Sequence, residues 1–258
     1  MKTVIFAGGL GSRISEESHL KPKPMIEIGG RPIIWHIIKI YQSYGFNEFI
    51  ICLGYKGYLL KEYFANYFLH NSDVTINIGT QEIEIHKSPN ENIKVTLVET
   101  GLHTMTAGRL KLVKDYIGNE DFMLTYGDGV SDIDINKLVD FHKQHGKIAT
   151  VTAVQSPGRF GTIITGKNDA VDGFVEKPLE SNEWINGGFF VLKPDVFDYL
   201  QGDVRNVPWE QSPMKSLKDD GELMAFKHRG FWKCMDTLRD KEVLEDIWSG
   251  EQKWKVWT

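Results

Sequence analysis

The chain has 258 residues, of which 41% are hydrophobic, and a formal net charge of −5. This size and apolar content suit one α/β domain spanning 1–258, and the acidic balance argues against nucleic acid and anionic membrane as partners. The N-terminus enters an apolar strand after Lys2, without a signal-peptide pattern, so we expect a cytoplasmic protein. Cys52 and Cys234 lie far apart without metal-type spacing, which predicts two reduced thiols.

Strand-like and helix-like segments alternate along the chain. The first half predicts a strand at 3–6, helix 33–44, strand 49–53, helix 58–68, strands 75–78, 82–85 and 95–98, helix 108–116 and strand 122–125. The second half predicts helix 135–145, strands 149–154, 162–165, 170–176 and 188–192, helices 195–200 and 211–218, strand 223–226 and helix 237–248. This alternation predicts an α/β fold with a Rossmann-like, mixed but mostly parallel sheet flanked by helices. The segments joined through Gly79 predict a small β-hairpin insertion.

The first strand runs into a glycine-rich loop, Phe6-Ala7-Gly8-Gly9-Leu10-Gly11-Ser12-Arg13. Glycine lets backbone N–H groups approach an anion, and Arg13 and Lys23 add positive charge, so we expect a polyphosphate ligand. The loop is not a P-loop, because no lysine precedes Ser12, nor a dinucleotide fingerprint, because Ile14 replaces the third glycine. A tight turn after an edge strand is the alternative interpretation.

Two aspartates are candidate metal ligands. Asp128 stands between two glycines directly after a predicted strand. Ligands of open α/β sheets bind at this end of the strands. Asp236 stands before the last predicted helix. If the fold brings them together, they form a hard oxygen site suited to Mg²⁺ carried in on a nucleotide. Each also has a structural interpretation, since Asp128 suits a turn, and Asp236 and the following Thr237 suit a helix N-cap.

Two further segments have the residue types of a sugar-phosphate site. In Glu176-Lys177-Pro178 the lysine can neutralise a phosphate and the glutamate can bind hydroxyl groups. Asn186, followed by Gly187, offers hydrogen bonds beside glycines that leave room for a ring. A solvated ion pair and a β-bulge are the alternatives for the two segments.

Taken in order, these segments resemble the sugar-1-phosphate nucleotidylyltransferases, whose fold is the nucleotide-diphospho-sugar transferase type. The matching pieces cover the glycine loop, Lys23-Pro24-Met25, Gly127-Asp128, Glu176-Lys177-Pro178, Asn186-Gly187 and Met235-Asp236-Thr237. Over its whole length the chain is similar to the branch that uses CTP and α-D-glucose 1-phosphate. The resemblance implies cytidylyl transfer to give CDP-glucose and pyrophosphate, with Mg²⁺, for deoxysugar biosynthesis of the O-antigen type. The aromatic segment 58–68 and the hairpin after it are candidate contacts of a homo-oligomer.

The resemblance also implies roles for individual residues. Arg13 and Lys23 are the implied catalytic residues, and Asp128 and Asp236 the implied metal ligands. The implied nucleotide contacts are Phe6, Ala7, Gly8, Gly9, Leu10, Gly11, Ser12, Arg13, Lys23, Thr104, Arg109 and Asp128. The implied sugar-phosphate contacts are Tyr126, Gly161, Glu176, Lys177 and Asn186.

Three alternatives stay open. A UTP- or dTTP-dependent relative would share the glycine loop but tends to carry a glutamine for the base, where this chain reads 104–109 Thr-Met-Thr-Ala-Gly-Arg. A glycosyltransferase would need Asp-x-Asp at a strand end, and Tyr126 replaces the first aspartate. A non-catalytic nucleotide-binding regulator would need neither Asp128, Asp236 nor Lys177.

Overall fold

The computed structural model describes residues 1–87, 91–155, 162–165, 171–175 and 183–258. Its strands are β1 (Thr3–Phe6), β2 (Glu27–Ile28), β3 (Arg31–Pro32), β4 (Glu48–Leu53), β5 (Asp73–Asn77), β6 (Glu82–Lys87), β7 (Lys94–Glu99), β8 (Phe122–Tyr126), β9 (Gly129–Ser131), β10 (Ala149–Val154), β11 (Thr162–Thr165), β12 (Val171–Val175), β13 (Ile185–Leu192), β14 (Leu223–His228) and β15 (Trp232–Cys234). Its α-helices are α1 (Ser15–Ser18), α2 (Ile33–Ser43), α3 (Gly57–Ala65), α4 (Tyr67–Asn71), α5 (Thr106–Leu112), α6 (Lys114–Ile117), α7 (Ile135–His145), α8 (Ser212–Asp219) and α9 (Leu238–Ser249). Short 3₁₀ helices cover Ser12–Ile14, Lys23–Met25 and Pro194–Tyr199.

A seven-stranded sheet forms the centre, in the order β14-β10-β13-β8-β1-β4-β7. Strand β1 is parallel to β4 and β8, β4 to β7, and β10 to β14, whereas β13 is antiparallel to both β8 and β10. Every residue of β1 is buried, because a parallel strand in the middle of a sheet is covered on both faces. The predicted mixed, mostly parallel sheet is therefore confirmed.

Alternate side chains of each central strand enter two cores. Ile5 packs in one core with Tyr41 of α2, and Val4 packs in the other with Leu110 of α5. This follows from the two-residue period of a strand, which sends successive side chains to opposite faces. The two cores hold the carboxyl ends of β1, β4 and β8 at one edge of the sheet.

Most predicted elements are confirmed, with shifts of one to three residues at their ends. Helix α7 has its predicted bounds because Asp134 caps it, accepting a hydrogen bond from the Lys137 amide, and Gly146 ends it at φ 68°. The predicted helix 58–68 is divided into α3 and α4 at Asn66, whose side-chain amide donates to the Glu62 carbonyl. The predicted helix 195–200 is instead a 3₁₀ helix.

The predicted hairpin insertion is formed by β5 and β6. Its register pairs Val74 with Ile85 and Ile76 with Ile83, which places these apolar side chains on one face. Ile76 is 53% exposed and Ile83 46% exposed. The hairpin therefore presents an apolar face to solvent.

The C-terminal tryptophans close over α2, as packing residues of the terminal segment. Trp254 is fully buried, and its indole N–H donates to Nδ1 of His36. The His36 Nε2 atom lies 2.8 Å from the Ile28 carbonyl, so the ring is held between one donor and one acceptor. Cys52 and Cys234 are free thiols, and burial raises the pKa of Cys52 to about 12. Among the described helices none has the length and apolarity needed to cross a membrane.

Candidate functional site

A cavity of about 510 Å³ opens at the carboxyl ends of β1 and β8, where ligands bind in α/β sheets. Its wall contains every residue of the predicted nucleotide site. The lining residues are Phe6, Ala7, Gly8, Gly9, Leu10, Gly11, Ser12, Arg13, Lys23, Pro24, Leu102, His103, Thr104, Met105, Thr106, Arg109, Tyr126, Gly127, Asp128, Pro208, Glu210 and Asp236. The sequence therefore identified both ends of this cavity, the loop after β1 and the aspartate after β8.

The glycines of the loop have two different structural causes. Gly11 has φ 66°, a left-handed conformation that favours glycine, and its carbonyl accepts a hydrogen bond from the Ser18 hydroxyl. Gly8 is glycine for lack of space, because a Cβ there would lie 2.0 Å from Nη1 of Arg109. A Cβ on Gly9 would meet no atom within 4 Å. Part of the glycine pattern is thus explained by the packing of a buried arginine, and the approach of an anion to the loop stays a prediction.

Arg109 lies beneath the loop and is only 3% exposed. Its Nη1 donates to the Leu53 carbonyl at 2.9 Å and to the Thr100 hydroxyl at 2.6 Å, and its Nη2 donates to the Gly8 carbonyl at 2.9 Å. Leu53 is the last residue of β4, Thr100 follows β7 and Gly8 lies just after β1, so one guanidinium connects the ends of three strands. Burial lowers the pKa of Arg109 from its usual value. Arg109 reaches the cavity wall as well, and its contact with a nucleotide stays a prediction.

An ion network joins the two candidate metal ligands. The Lys23 ammonium lies 2.5 Å from Asp128 Oδ2 and 2.7 Å from Asp236 Oδ1, and Arg13 Nη1 lies 3.0 Å from Asp236 Oδ2. The pairing of β9 with β15 brings the aspartates together, since the Met235 amide donates to the Asp128 carbonyl. Thr237 caps α9 by accepting a hydrogen bond from the Asp240 amide, so the predicted helix cap is confirmed at Thr237 and not at Asp236.

The network sets the charge of its members. Burial opposes the charged form of Lys23, but the charges and hydrogen bonds of Asp128 and Asp236 outweigh it, and the pKa of Lys23 is raised. Burial likewise opposes ionisation of Asp236, but its hydrogen bond to Lys23 and the charges of Lys23 and Arg13 hold its pKa below the usual value. Lys23 is therefore a cation and Asp236 an anion at neutral pH.

The donor set fits a divalent metal that arrives with a phosphate ligand. A single ammonium already lies between carboxylates from two chain segments, which shows that this space accepts a cation. In the part of the chain that the structure describes, no group of three or more His, Cys, Asp or Glu side chains converges. Two hard carboxylates leave coordination positions for phosphate oxygens and water, as Mg²⁺ requires.

On the other side of Asp128, Tyr126 connects the strand end with β13. Asn186 Nδ2 donates to Tyr126 Oη at 3.3 Å, and the Gly188 amide donates to Asn186 Oδ1 at 2.8 Å. Gly188 has φ 78°, and a Cβ there would lie 2.4 Å from the Tyr126 ring. This glycine therefore leaves room for a tyrosine ring of the protein itself.

The structure brings together the predicted residues of the loop, Lys23, Thr104, Arg109, Tyr126, Asp128 and Asp236, with Asn186 bonded to Tyr126. Gly161, Glu176 and Lys177 lie outside the described residues. Sequence reasoning missed the cavity residues Leu102, His103, Met105, Thr106, Pro208 and Glu210. The segment 204–211 reaches the cavity through tertiary hydrogen bonds, such as the Ala107 amide to the Val207 carbonyl, which leave no local signal.

Comparison with known proteins agrees with the geometry. The family model described as Nucleotidyl transferase matches residues 2–237. Glucose-1-phosphate cytidylyltransferase from Salmonella typhimurium is 55% identical over 259 residues, covering 100% of both chains. The crystal structure of HddC from Yersinia pseudotuberculosis has a TM-score of 0.69 at 21% identity, covering 96% of this chain and 99% of that one. The crystal structure of apo-UDP-glucose pyrophosphorylase has a TM-score of 0.68 at 17% identity, and the match covers 98% of this chain and 99% of that one. The fold is that of the nucleotide-diphospho-sugar transferases.

Proposed function

The chain belongs to the nucleotidyl transferase family, and we propose that its cavity transfers a cytidylyl group from CTP to α-D-glucose 1-phosphate. The products are CDP-glucose and pyrophosphate. The observation that carries the proposal is the full-length 55% identity with a glucose-1-phosphate cytidylyltransferase. The cavity at the carboxyl ends of β1 and β8 supplies the required cations and carboxylates.

The reaction needs positioning and charge neutralisation more than proton transfer. A phosphate oxygen of glucose 1-phosphate attacks the α-phosphorus of CTP, and the bond from that phosphorus to the β-phosphate oxygen breaks. The electron pair leaves with pyrophosphate. Because the nucleophile is already an anion at neutral pH, no side chain has to remove a proton from it. The protein lowers the barrier by aligning two phosphate groups and stabilising the charge between them.

Arg13 and Lys23 are the cations suited to that task. The Arg13 side chain is 73% exposed at the cavity mouth, whereas the Lys23 side chain is 14% exposed beside Asp128. The raised pKa of Lys23 keeps its ammonium charged while it faces the triphosphate. Charge-assisted hydrogen bonds from these groups would stabilise the five-coordinate phosphorus and the departing pyrophosphate. The loop 6–12 lets backbone groups approach the nucleotide closely.

Asp128 and Asp236 would hold Mg²⁺. When bound, the metal supplies Lewis-acid stabilisation of the phosphate oxygens. The two carboxylates would hold it in the cavity at the carboxyl ends of β1 and β8. Lys23 is bonded to both carboxylates and would compete with a divalent cation for them.

The sugar phosphate would bind on the β13 side, next to Tyr126 and Asn186. We assign its phosphate to Lys177, with Gly161 and Glu176 beside the ring. Lys177→Ala should raise KM for glucose 1-phosphate by about ten- to a hundredfold, the effect of one lost charge-assisted hydrogen bond. Calorimetric titration with Mg·CTP alone should be almost unchanged. A large loss of CTP affinity with an unaltered sugar KM would contradict this assignment.

The choice of base provides the test of the cytidylyl assignment. A site that hydrogen-bonds the exocyclic amine of cytosine leaves polar groups unpaired when uracil enters, which can cost about 10²-fold in kcat/KM. Pyrophosphate release should therefore be faster with CTP than with UTP or dTTP at equal concentration. Equal efficiency would refute the cytidylyl assignment and leave the family membership intact.

We also propose that the chain forms a homo-oligomer through the β5–β6 hairpin. Support comes from the exposed pair Ile76 and Ile83, since a two-stranded hairpin is only marginally stable without a covered face. The double change of these residues to threonine should lower the mass measured by light scattering. The matched change of Thr75 to valine, on the opposite face, should leave it unchanged. An unaltered mass in the double variant would contradict this interface.

A further inference from the structure

On the premise that the cavity transfers to glucose 1-phosphate, we propose that Glu210 determines sugar specificity by accepting a hydrogen bond from a hydroxyl group of the hexose. Glu210 lies on the cavity wall, in a segment that no sequence motif marked. Its side chain is not part of the ion network of Lys23. It is therefore not paired with the groups that we assign to the metal and the triphosphate.

Two hydroxyl groups hold the Glu210 carboxylate in place. Tyr126 Oη donates to Oε1, and Thr106 Oγ1 donates to Oε2 at 3.1 Å. The Trp209 amide donates to the same Thr106 hydroxyl at 2.6 Å, and the Trp209 ring is fully buried. The neighbouring tryptophan thus anchors the segment. A carboxylate fixed in this way is preorganised for a ligand, which reduces the entropy lost on binding.

The two hydroxyl groups already bonded to Glu210 define what else the carboxylate can bind. Tyr126 Oη donates to one carboxylate oxygen and Thr106 Oγ1 donates to the other. An ionised carboxylate has only acceptor sites, about four lone pairs, of which Tyr126 and Thr106 use two. The remaining sites require a ligand group that donates a hydrogen bond. Sugar hydroxyls are such donors.

The order of strands distinguishes the sugar from the base. Tyr126 ends β8, and its other hydrogen-bond partner, Asn186, belongs to β13. Arg109 and the acceptors it binds lie toward β4 and β7, on the opposite side of β1. The glycine loop and Arg109, where we expect the base to bind, therefore lie on one side of β8, and Asn186 lies on the other. Glu210 is bonded to Tyr126, the partner of Asn186, and is also held by Thr106 at the start of the helix that carries Arg109.

The first test separates the two substrates. Glu210→Gln and Glu210→Ala should raise KM for glucose 1-phosphate by about ten- to a hundredfold, with KM for CTP within about twofold. In calorimetry, both variants should lose affinity for CDP-glucose but bind CDP as the wild type does. The control is Glu120→Gln, an exposed residue before β8, at the end of the strand opposite the cavity. It should change neither constant.

The second test identifies the hydroxyl. The 2-, 3-, 4- and 6-deoxy analogues of glucose 1-phosphate are compared in the wild type and in Glu210→Ala. One analogue should be poor for the wild type, yet no worse than glucose 1-phosphate for the variant, because the hydroxyl and its acceptor form one interaction. If every deoxy analogue lowers kcat/KM by the same factor in the wild type and in the variant, Glu210 has no hydroxyl partner and the inference is wrong. If the variants instead accept UTP as well as CTP, Glu210 binds the base. Pyrophosphate release by the wild type tests the proposed function separately.

Discussion

Arg109→Met tests whether the glycine loop depends on a buried brace. The substitution keeps much of the side-chain volume but removes the guanidinium that binds Leu53, Thr100 and Gly8. Each acceptor left unpaired in the interior costs about 1–3 kcal/mol. Removing the guanidinium also removes the cost of burying its charge, which offsets part of that loss. We therefore expect the free energy of unfolding to fall by about 3 kcal/mol, which lowers Tm by about 6–12 °C in a chain of this size.

Urea titration followed by tryptophan fluorescence measures the change in stability. Calorimetric titration with Mg·CTP measures whether the loop still binds the nucleotide. Lys111→Met is the matched control, because Lys111 lies on the same helix and donates only from the exposed surface to the Gly202 carbonyl. Gly8→Ala should cause a similar loss of stability, because its Cβ would lie 2.0 Å from the guanidinium. Gly9→Ala should leave stability unaffected, because a Cβ there would meet no atom within 4 Å. An Arg109→Met stability within 0.5 kcal/mol of that of the Lys111 variant would refute the brace. Weaker CTP binding at unchanged stability would make Arg109 a nucleotide ligand only.

Three further predictions concern the charges of the fold. Asp128→Asn and Asp236→Asn should each abolish most turnover, and the double change should cost little more than either; near-normal kcat at saturating Mg²⁺ would exclude the altered residue as a ligand. Lys23→Met removes the ammonium from both carboxylates and leaves only the exposed Arg13 on Asp236, so electron paramagnetic resonance should show Mn²⁺ binding about tenfold or more tightly to the nucleotide-free variant; equal affinity would contradict competition by the ammonium. Burial lowers the pKa of His36 from 6.5 to about 4, so the unfolded chain binds the extra proton. The free energy of unfolding should therefore fall by about 3 kcal/mol as the pH is lowered from 6.5 to about 4. In urea titrations, His36→Asn should reduce this dependence of stability on pH.

Local signals in the sequence were sufficient for the framework of the fold. The strand 3–6 and the helix 135–145 could be delimited because apolar periodicity and end signals coincide, with Asp134 and Gly146 flanking the helix. The two- and three-residue strands β2, β3, β9 and β15 are too short for any periodicity to appear. Their pairing depends on distant partners, as when β15 finds β9. The one-domain organisation over 1–258 stays a prediction.

The site likewise contains residues that the local sequence identifies and residues that only the folded chain reveals. Asp128 and Asp236 were recognised as separate candidates from their positions beside regular elements, and only the fold brings both to Lys23. The glycine loop was correctly associated with the cavity, but the reason for Gly8 was missed, because only the folded chain shows Arg109 beneath it. Glu210 had no local signal, since a turn between a proline and a helix resembles many surface turns. The assigned roles of these residues in binding stay predictions.

Cytidylyl transfer can be observed by ³¹P NMR in a mixture of CTP, α-D-glucose 1-phosphate, Mg²⁺ and the purified protein. We expect CDP-glucose and pyrophosphate to appear together, in equal amounts, as both substrates disappear. Omitting glucose 1-phosphate should prevent pyrophosphate release, because the sugar phosphate is the nucleophile. Consumption of CTP without the coupled diphosphate signals of CDP-glucose, or no consumption of CTP at all, would contradict cytidylyl transfer.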